Sequence, residues 1–243
     1  MTKKELLSTV GHRPWSVPDG QWRFYQEWNK AIFLHWAVDE EKLRKLIPAD
    51  LQIDLYNGTA WISLVAFTME NIRPRILPAF SPISNFDEIN IRTYVKSADK
   101  TGVYFLSIEA GKKLSAWIAK SLSELPYRHS LISRNQTQYQ SFNQKLGDHL
   151  SIDFSRQGDI GSKSDLDIWL TERYALFQDA GTGINKFEIH HLEWPIDKIQ
   201  INHLDVNYPR FADLFGGSPE LAHYSDGVRV LAWGKEEMAT TQS

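Results

Sequence analysis

Cysteine is absent, which removes disulfides, thiol nucleophiles and thiolate metal sites from consideration. Long apolar runs are missing as well. The longest, residues 31–34, falls far short of the roughly 20 residues a membrane span requires, so no membrane segment is expected. No basic run stands out among 27 basic and 30 acidic residues, and the net charge is -3, which argues against a nucleic-acid surface. The first residues, Met-Thr-Lys-Lys-Glu-Leu-Leu-Ser, lack the apolar core of a secretory signal. Together these absences point to a cytoplasmic, bacterial-type protein. Gly216-Gly217 has neither dinucleotide-loop spacing nor a following P-loop lysine. There is no GxSxG elbow and no HExxH pair, and His190-His191 would place two imidazoles on opposite faces of a strand. No cofactor and no metal site is expected.

What is present is an ordinary globular composition, 42% hydrophobic and 23% charged over 243 residues. Nine tryptophans are spread from position 15 to position 233. Each buries a large area, so a single extended core is the natural reading. We expect one domain over 1–243, with an irregular arm at 1–20 around Pro14 and Pro18 and a polar, frayed tail at 235–243.

Strand patterns recur. Residues 21–38 read as a strand, apolar on both faces from Ala31 to Val38. Asp39 is placed to cap a short helix that Pro48 stops. Asn57-Gly58 marks a hairpin turn between strands at 51–55 and 59–69, and Pro74, Pro78 and Pro82 punctuate a loop. Strands follow at 86–96 and 102–108, then the best helical pattern, 113–125, with Leu114, Trp117, Ile118, Ser121, Leu122 and Leu125 on one side. Further strands are expected at 129–142 and 149–155, a flexible turn at 157–164 and a short helix at 164–173. A hairpin of 174–178 with 186–192, a strand at 199–204, a short helix at 209–215 and a last strand at 228–233 complete the pattern. This predicts an α+β domain, mainly antiparallel β and barrel-like, with a few short helices.

The most informative segment is 86–95. As a strand it puts Ile89, Ile91, Thr93 and Val95 on one face and Glu88, Asn90, Arg92 and Tyr94 on the other. Such a row is either a structural salt-bridge network or the wall of an enclosed site. Arginine suits a carboxylate because its planar fork of donors carries a fixed charge, and Glu88 suits acid–base work or the orientation of Arg92. Glu172-Arg173-Tyr174 forms a second constellation, either paired with the first row or touching ligand. His35, inside an apolar strand, reads as a satisfied core histidine or a catalyst.

Several blocks resemble the uncharacterised YqjF-like family of bacteria. They are Phe33-Leu-His-Trp36, Leu43-Arg-Lys-Leu-Ile-Pro48 through Asp54, Gly58-Thr-Ala-Trp61 and the alternating row from Phe86 to Tyr94. Gly102-Val-Tyr-Phe-Leu-Ser107, Leu125-Pro-Tyr127, Leu170-Thr-Glu-Arg-Tyr174 and His191-x-x-Trp-Pro195 continue the match in family order. The resemblance implies the fold of acetoacetate decarboxylase, a cone-shaped antiparallel barrel around a small-molecule cavity. That enzyme uses a lysine pair, one member forming a Schiff base. Lys112-Lys113 reproduces the dipeptide. An ungapped match through Leu114-Ser-Ala116 instead puts Ala119 at the Schiff-base position, Lys120 beside it, and Trp61 where the decarboxylase has a pocket acid.

Three readings follow. The first is a protein that binds a small organic acid or carbonyl compound in an internal cavity, with acid–base chemistry at Glu88, Arg92 and Tyr94, joined by Glu172 or His35. The second is a lysine-dependent decarboxylase or aldolase-like enzyme. The third is a non-catalytic binding or interaction protein. A small-molecule ligand is the expected partner, nucleic acid and membrane are not, and a homo-oligomer is compatible with the sequence.

Overall fold

The computed structural model describes residues 2–97, 100–112, 125–180 and 183–238. Among the described residues fourteen strands join in one sheet. They are β1 (Phe24–Val38), β2 (Gln52–Ile53), β3 (Ala60–Pro74), β4 (Phe86–Ser97), β5 (Lys100–Ala110), β6 (Arg128–His129) and β7 (Leu131–Arg134). They continue as β8 (Gln138–Asn143), β9 (Asp148–Asp159), β10 (Ala175–Ala180), β11 (Gly183–His190), β12 (Asp197–Asn207), β13 (Leu221–Ala232) and β14 (Glu236–Met238). Pairing is antiparallel except where β10 and β6 run parallel to β5. Helices are few and short, and none among the described residues is long and apolar enough to cross a membrane. The helix expected at 113–125 lies, apart from Leu125, outside the described residues, and Lys113, Ala119 and Lys120 go with it.

The strand order runs β11-β10-β5-β4-β3-β1-β13, and β11 also pairs directly with β13 through Ile189 with Ala232 and His190 with Leu231. These seven strands therefore form a closed circuit of hydrogen-bonded neighbours. The pleat gives the circuit two apolar faces. On one, Ile32, Leu34, Leu64, Ile89 and Ile91 join Tyr139 and Phe154 of the β8–β9 layer. On the other, Phe33, Val65, Phe67, Met69, Phe86 and Trp194 cluster around the interior. In β1 a register shift between Asn29 and Ile32, at Lys30 with φ 52°, lets Trp28 and Phe33 share the interior face.

Local chemistry explains the turns. The Asp39 side chain accepts from the Lys42 N–H at 2.9 Å and caps the helix Glu40–Arg44. Asn57 and Gly58 take φ 49° and 80° between the bridged residues Tyr56 and Thr59, the left-handed pair that a two-residue hairpin turn demands.

Several expectations change. The strand expected at 129–142 is broken, because Asn135 Oδ1 accepts from the Thr137 and Gln138 N–H groups and turns the chain so that β7 and β8 pair antiparallel. The arm at 1–20 contains a helix, Lys3–Ser8, because Thr2 and Glu5 form a reciprocal capping box and Leu6 buries itself with Trp22, Tyr25 and Trp233. The tail does not fray from residue 235, since β14 pairs with Ile184–Lys186 and Lys186 meets Glu236 at 2.8 Å. The turn expected from Gln157 starts later, because β12 holds β9 in register through Gly158 and Asp159.

Gly102 marks a close approach of β5 to β10. A Cβ there would lie 2.4 Å from the Ala175 carbonyl oxygen and 2.8 Å from its carbon. Gly102→Ala is expected to cost about 1–3 kcal/mol and to lower the thermal midpoint, whereas Gly216→Ala, with nothing within 4 Å, leaves it unchanged. Equal midpoints for the two variants in a calorimetric scan would contradict the packing at this strand pair.

Candidate functional site

The circuit encloses a cavity of about 730 Å³ whose lining draws on all seven of its strands. The β3–β4 register orders its wall, placing Met69 opposite Phe86, Phe67 opposite Glu88, Val65 opposite Asn90 and Ser63 opposite Arg92. Glu88, Asn90 and Arg92 line the cavity and are 2%, 4% and 8% exposed. The alternation along 86–95 thus gathers these three polar side chains on one wall.

Glu88 lies in apolar surroundings beside Phe67. Its Oε2 accepts from the Tyr127 hydroxyl at 2.8 Å and its Oε1 from Asn90 Nδ2 at 3.4 Å. Burial pushes its carboxyl up to about 7, outweighing the lowering effect of those two hydrogen bonds. The group is therefore divided between acid and carboxylate near neutral pH.

Four arginines line the same cavity, Arg23, Arg73, Arg92 and Arg173, and of these Arg92 and Arg173 are buried. Arg173 donates from Nη1 to Asp54 Oδ2 at 2.6 Å and from Nε to the Trp169 carbonyl at 2.7 Å, and its Nη2 has no partner among the described residues. Arg92 donates from Nη2 to the Leu170 carbonyl at 3.4 Å, its Nε has no partner, and it forms no ion pair among the described residues. Asn90 Oδ1 is likewise buried and unpartnered. Burial lowers the pKa of both arginines, with Asp54 acting in the opposite direction on Arg173, yet an arginine keeps its charge under such pressure. One neutralised guanidinium, one unneutralised guanidinium and a carboxyl poised near neutrality thus share an enclosed, largely apolar space.

The other expected residues lie outside the cavity lining. The Tyr94 hydroxyl donates to the Leu170 carbonyl at 2.9 Å, the same oxygen that accepts from Arg92, and it also meets Ser63 Oγ. His35 is fully buried between Ser63 Oγ, 2.6 Å from Nδ1, and His223 Nδ1, 3.4 Å from Nε2. His223 in turn reaches Asp167 at 3.1 Å. Burial, reinforced by His223 and Arg92, holds His35 well below the ordinary imidazole value. Glu172 turns away from the polar row. It takes Lys163 Nζ at 2.6 Å, the Trp194 N–H at 3.0 Å and the Tyr174 hydroxyl at 3.1 Å.

Several contributors were not singled out from the sequence. Tyr127 holds Glu88, Asp54 neutralises Arg173, and His191 and Thr171 line the cavity. Tyr127 and Asp54 sit inside blocks of the family resemblance, which was the available signal. Lys112 spends its amine on the carbonyls of Asn85, at 2.6 Å, and Pro82. Lys235 is the one lysine among the described lining residues.

Comparison with known proteins agrees with this architecture. The uncharacterized protein YqjF of Bacillus subtilis (strain 168) is 33% identical over 238 residues, covering 90% of this chain and 93% of its own. Acetoacetate decarboxylase from Legionella pneumophila superposes with a TM-score of 0.64 over 96% of this chain and 95% of its own, at 8% identity. The enduracididine biosynthesis enzyme MppR, complexed with pyruvate, superposes with a TM-score of 0.59 over 95% of each chain, at 10% identity. At such identities the likeness establishes the acetoacetate decarboxylase-like fold and leaves the chemistry to the site itself. Residues 25–229, from β1 to β13, match the DUF2071 family, described as an uncharacterized conserved protein, and with the YqjF relationship this places the chain in that family.

Proposed function

We propose that the cavity binds a small organic acid, with Arg92 and Arg173 holding its carboxylate and Glu88 exchanging a proton with the bound molecule. One observation carries the reading: Arg92 is a buried guanidinium on the cavity wall with an unpartnered Nε and no ion pair among the described residues. Leaving such a charge uncompensated costs several kcal/mol, and a carboxylate ligand removes that cost while filling the free donors of both arginines. Glu88 supports the catalytic half, since proton transfer works best when the group's pKa lies near the working pH and burial brings it to about 7. MppR, a protein of the same fold, is seen with pyruvate, which is compatible with a keto acid here. That shared fold also keeps the lysine-dependent reading in view. A borohydride-trapped mass adduct with a keto acid is its signature.

The test of the acid site is thermal unfolding of wild type and Arg92→Met with keto acids and aromatic acids. A ligand at a hundred times its Kd stabilises by about 2.7 kcal/mol, so the wild-type midpoint rises while that of Arg92→Met does not respond. Without ligand, Arg92→Met melts at or above wild type, because an uncompensated buried charge has been replaced by an apolar side chain of similar length. A variant that melts several degrees lower, with its acid response intact, would make Arg92 a structural residue and overturn the proposal.

Glu88 gives a second expectation with a definite sign. Its folded pKa of about 7 exceeds the ordinary 4.5. Between those values the folded chain holds a proton that the unfolded chain has released. Stability from this group is therefore full below the lower value, falls as pH rises through the window, and levels off above the upper one. The full penalty is on the order of 3 kcal/mol. Glu88→Gln keeps an acceptor for Tyr127 and removes the penalty. Its melting advantage over wild type should be near zero at about pH 4 and largest at about pH 8. An advantage independent of pH would show that Glu88 does not titrate in this window.

A further inference from the structure

Along β4 the cavity wall passes from polar to apolar, and the remaining cationic groups of the described lining are the exposed Arg23 and Lys235 and the half-buried Arg73. Along β4 the lining residues are Phe86, Glu88, Asn90 and Arg92, a span of about 20 Å at the usual strand rise. Arg173 joins Arg92 at the far end, where the two guanidiniums sense each other electrostatically. From Glu88 outward the wall beside β4 is apolar, with Phe67, Met69 and Phe86 buried and Trp28 and Ile72 half-buried. The run ends at Leu77 and Phe80, which line the cavity yet are 55% and 63% exposed in the proline-punctuated loop. A volume of about 730 Å³ falls in the range that encloses drug-sized molecules. A three-carbon acid held at Arg92 would leave the apolar stretch facing water.

From this gradient we infer that the ligand is an amphiphilic carboxylic acid, its carboxylate seated between Arg92 and Arg173 and its apolar body lying along Phe67, Met69 and Phe86 toward the loop at 74–84. The inference rests on the carboxylate site proposed above and adds the substrate class. Glu88 then faces the ligand where polar head gives way to apolar body, so the proton it exchanges belongs to an atom near the head rather than to the tail. Leu77 and Phe80 are specificity-determining residues. They close the outer part of the apolar wall and select for length.

The test is isothermal titration of the full chain with straight-chain acids from butanoate to decanoate, each below its micelle concentration, with octanol as the uncharged control. Burial of one methylene strengthens binding about fourfold, so affinity should climb by that factor per carbon until the tail outruns the cavity. Octanol should bind far more weakly than octanoate. Leu77→Ser/Phe80→Ser, which alters exposed side chains and preserves folding, should flatten the climb for the longer acids and leave butanoate unchanged. Short acids that bind with no gain from length would overturn this inference and leave the carboxylate site standing. Octanol binding as tightly as octanoate, or no binding by any acid, would overturn both.

Discussion

Everything in this molecule depends on the two-residue alternation of β4 inside a closed circuit of strands. One strand does two jobs at once: Ile89 and Ile91 enter the outer core, while Glu88, Asn90 and Arg92 face the cavity. A slip of one residue would drive the charges into the core and the isoleucines into the cavity. The register is held from both sides, by β3 along Phe86–Thr93 and by β5 along Glu88–Ser97. The β5 pairing carries a register shift between Ile91 and Arg92, which lets Phe105 and Ile108, three apart in β5, both line the cavity. The fold therefore specifies the polar wall with the same hydrogen bonds that specify the core.

The charges on that wall divide into those the protein satisfies and those it leaves open. Arg173 is anchored by Asp54 and the Trp169 carbonyl, and its guanidinium lies over the Trp169 ring at 4.2 Å. Among the described residues Arg92 has a distant carbonyl, the Phe33 ring at 5.8 Å and the electrostatic support of Tyr94 and Glu172. Replacing the first would strand a buried aspartate, whereas replacing the second removes a cost. The same contrast separates the two carboxylates of the sequence reading. Glu172 is saturated by a lysine, a backbone amide and a tyrosine, while among the described residues Glu88 has Tyr127 and a long contact from Asn90. Among the described contacts, the cost of burial falls on Arg92 and Glu88.

What was legible in the sequence follows from the range of the interactions involved. Period-two alternation is local, so the row at 88, 90 and 92 could be read directly, and Asn57-Gly58 and Asp39 announced their turn and cap. The helix Lys3–Ser8 was equally local in its Thr2–Glu5 box, but Pro14 and Pro18 dominated the reading of that arm. The partners that assign roles lie far away in sequence. Asp54 is 119 residues from Arg173, and Tyr127 is 39 from Glu88. Alternation also carried Tyr94 to the correct face without showing that its hydroxyl points to Leu170 instead of the cavity. Strand periodicity fixes the face of a side chain, and only the packed neighbours fix its target.

A chain of buried groups links His35 to Tyr94 and the Leu170 carbonyl. Asp167, His223, His35, Ser63, Tyr94 and the Leu170 carbonyl make five successive contacts. Burial lowers the pKa of both imidazoles, so each carries one hydrogen, and with one each on Ser63 and Tyr94 there are four hydrogens for five contacts. Both ends are acceptors, so one internal contact must go without. The His35–His223 contact, at 3.4 Å, is the longest. Placing the gap there satisfies all the others. His223 Nε2–H donates to Asp167, His35 Nδ1–H to Ser63, Ser63 to Tyr94, and Tyr94 to Leu170. The Leu170 carbonyl, held by Tyr94, is also the acceptor that steadies Arg92. His35 thus acts two hydrogen bonds behind Tyr94, fixing the hydroxyl that fixes the carbonyl that orients the guanidinium. His35 is completely buried and lies outside the cavity lining.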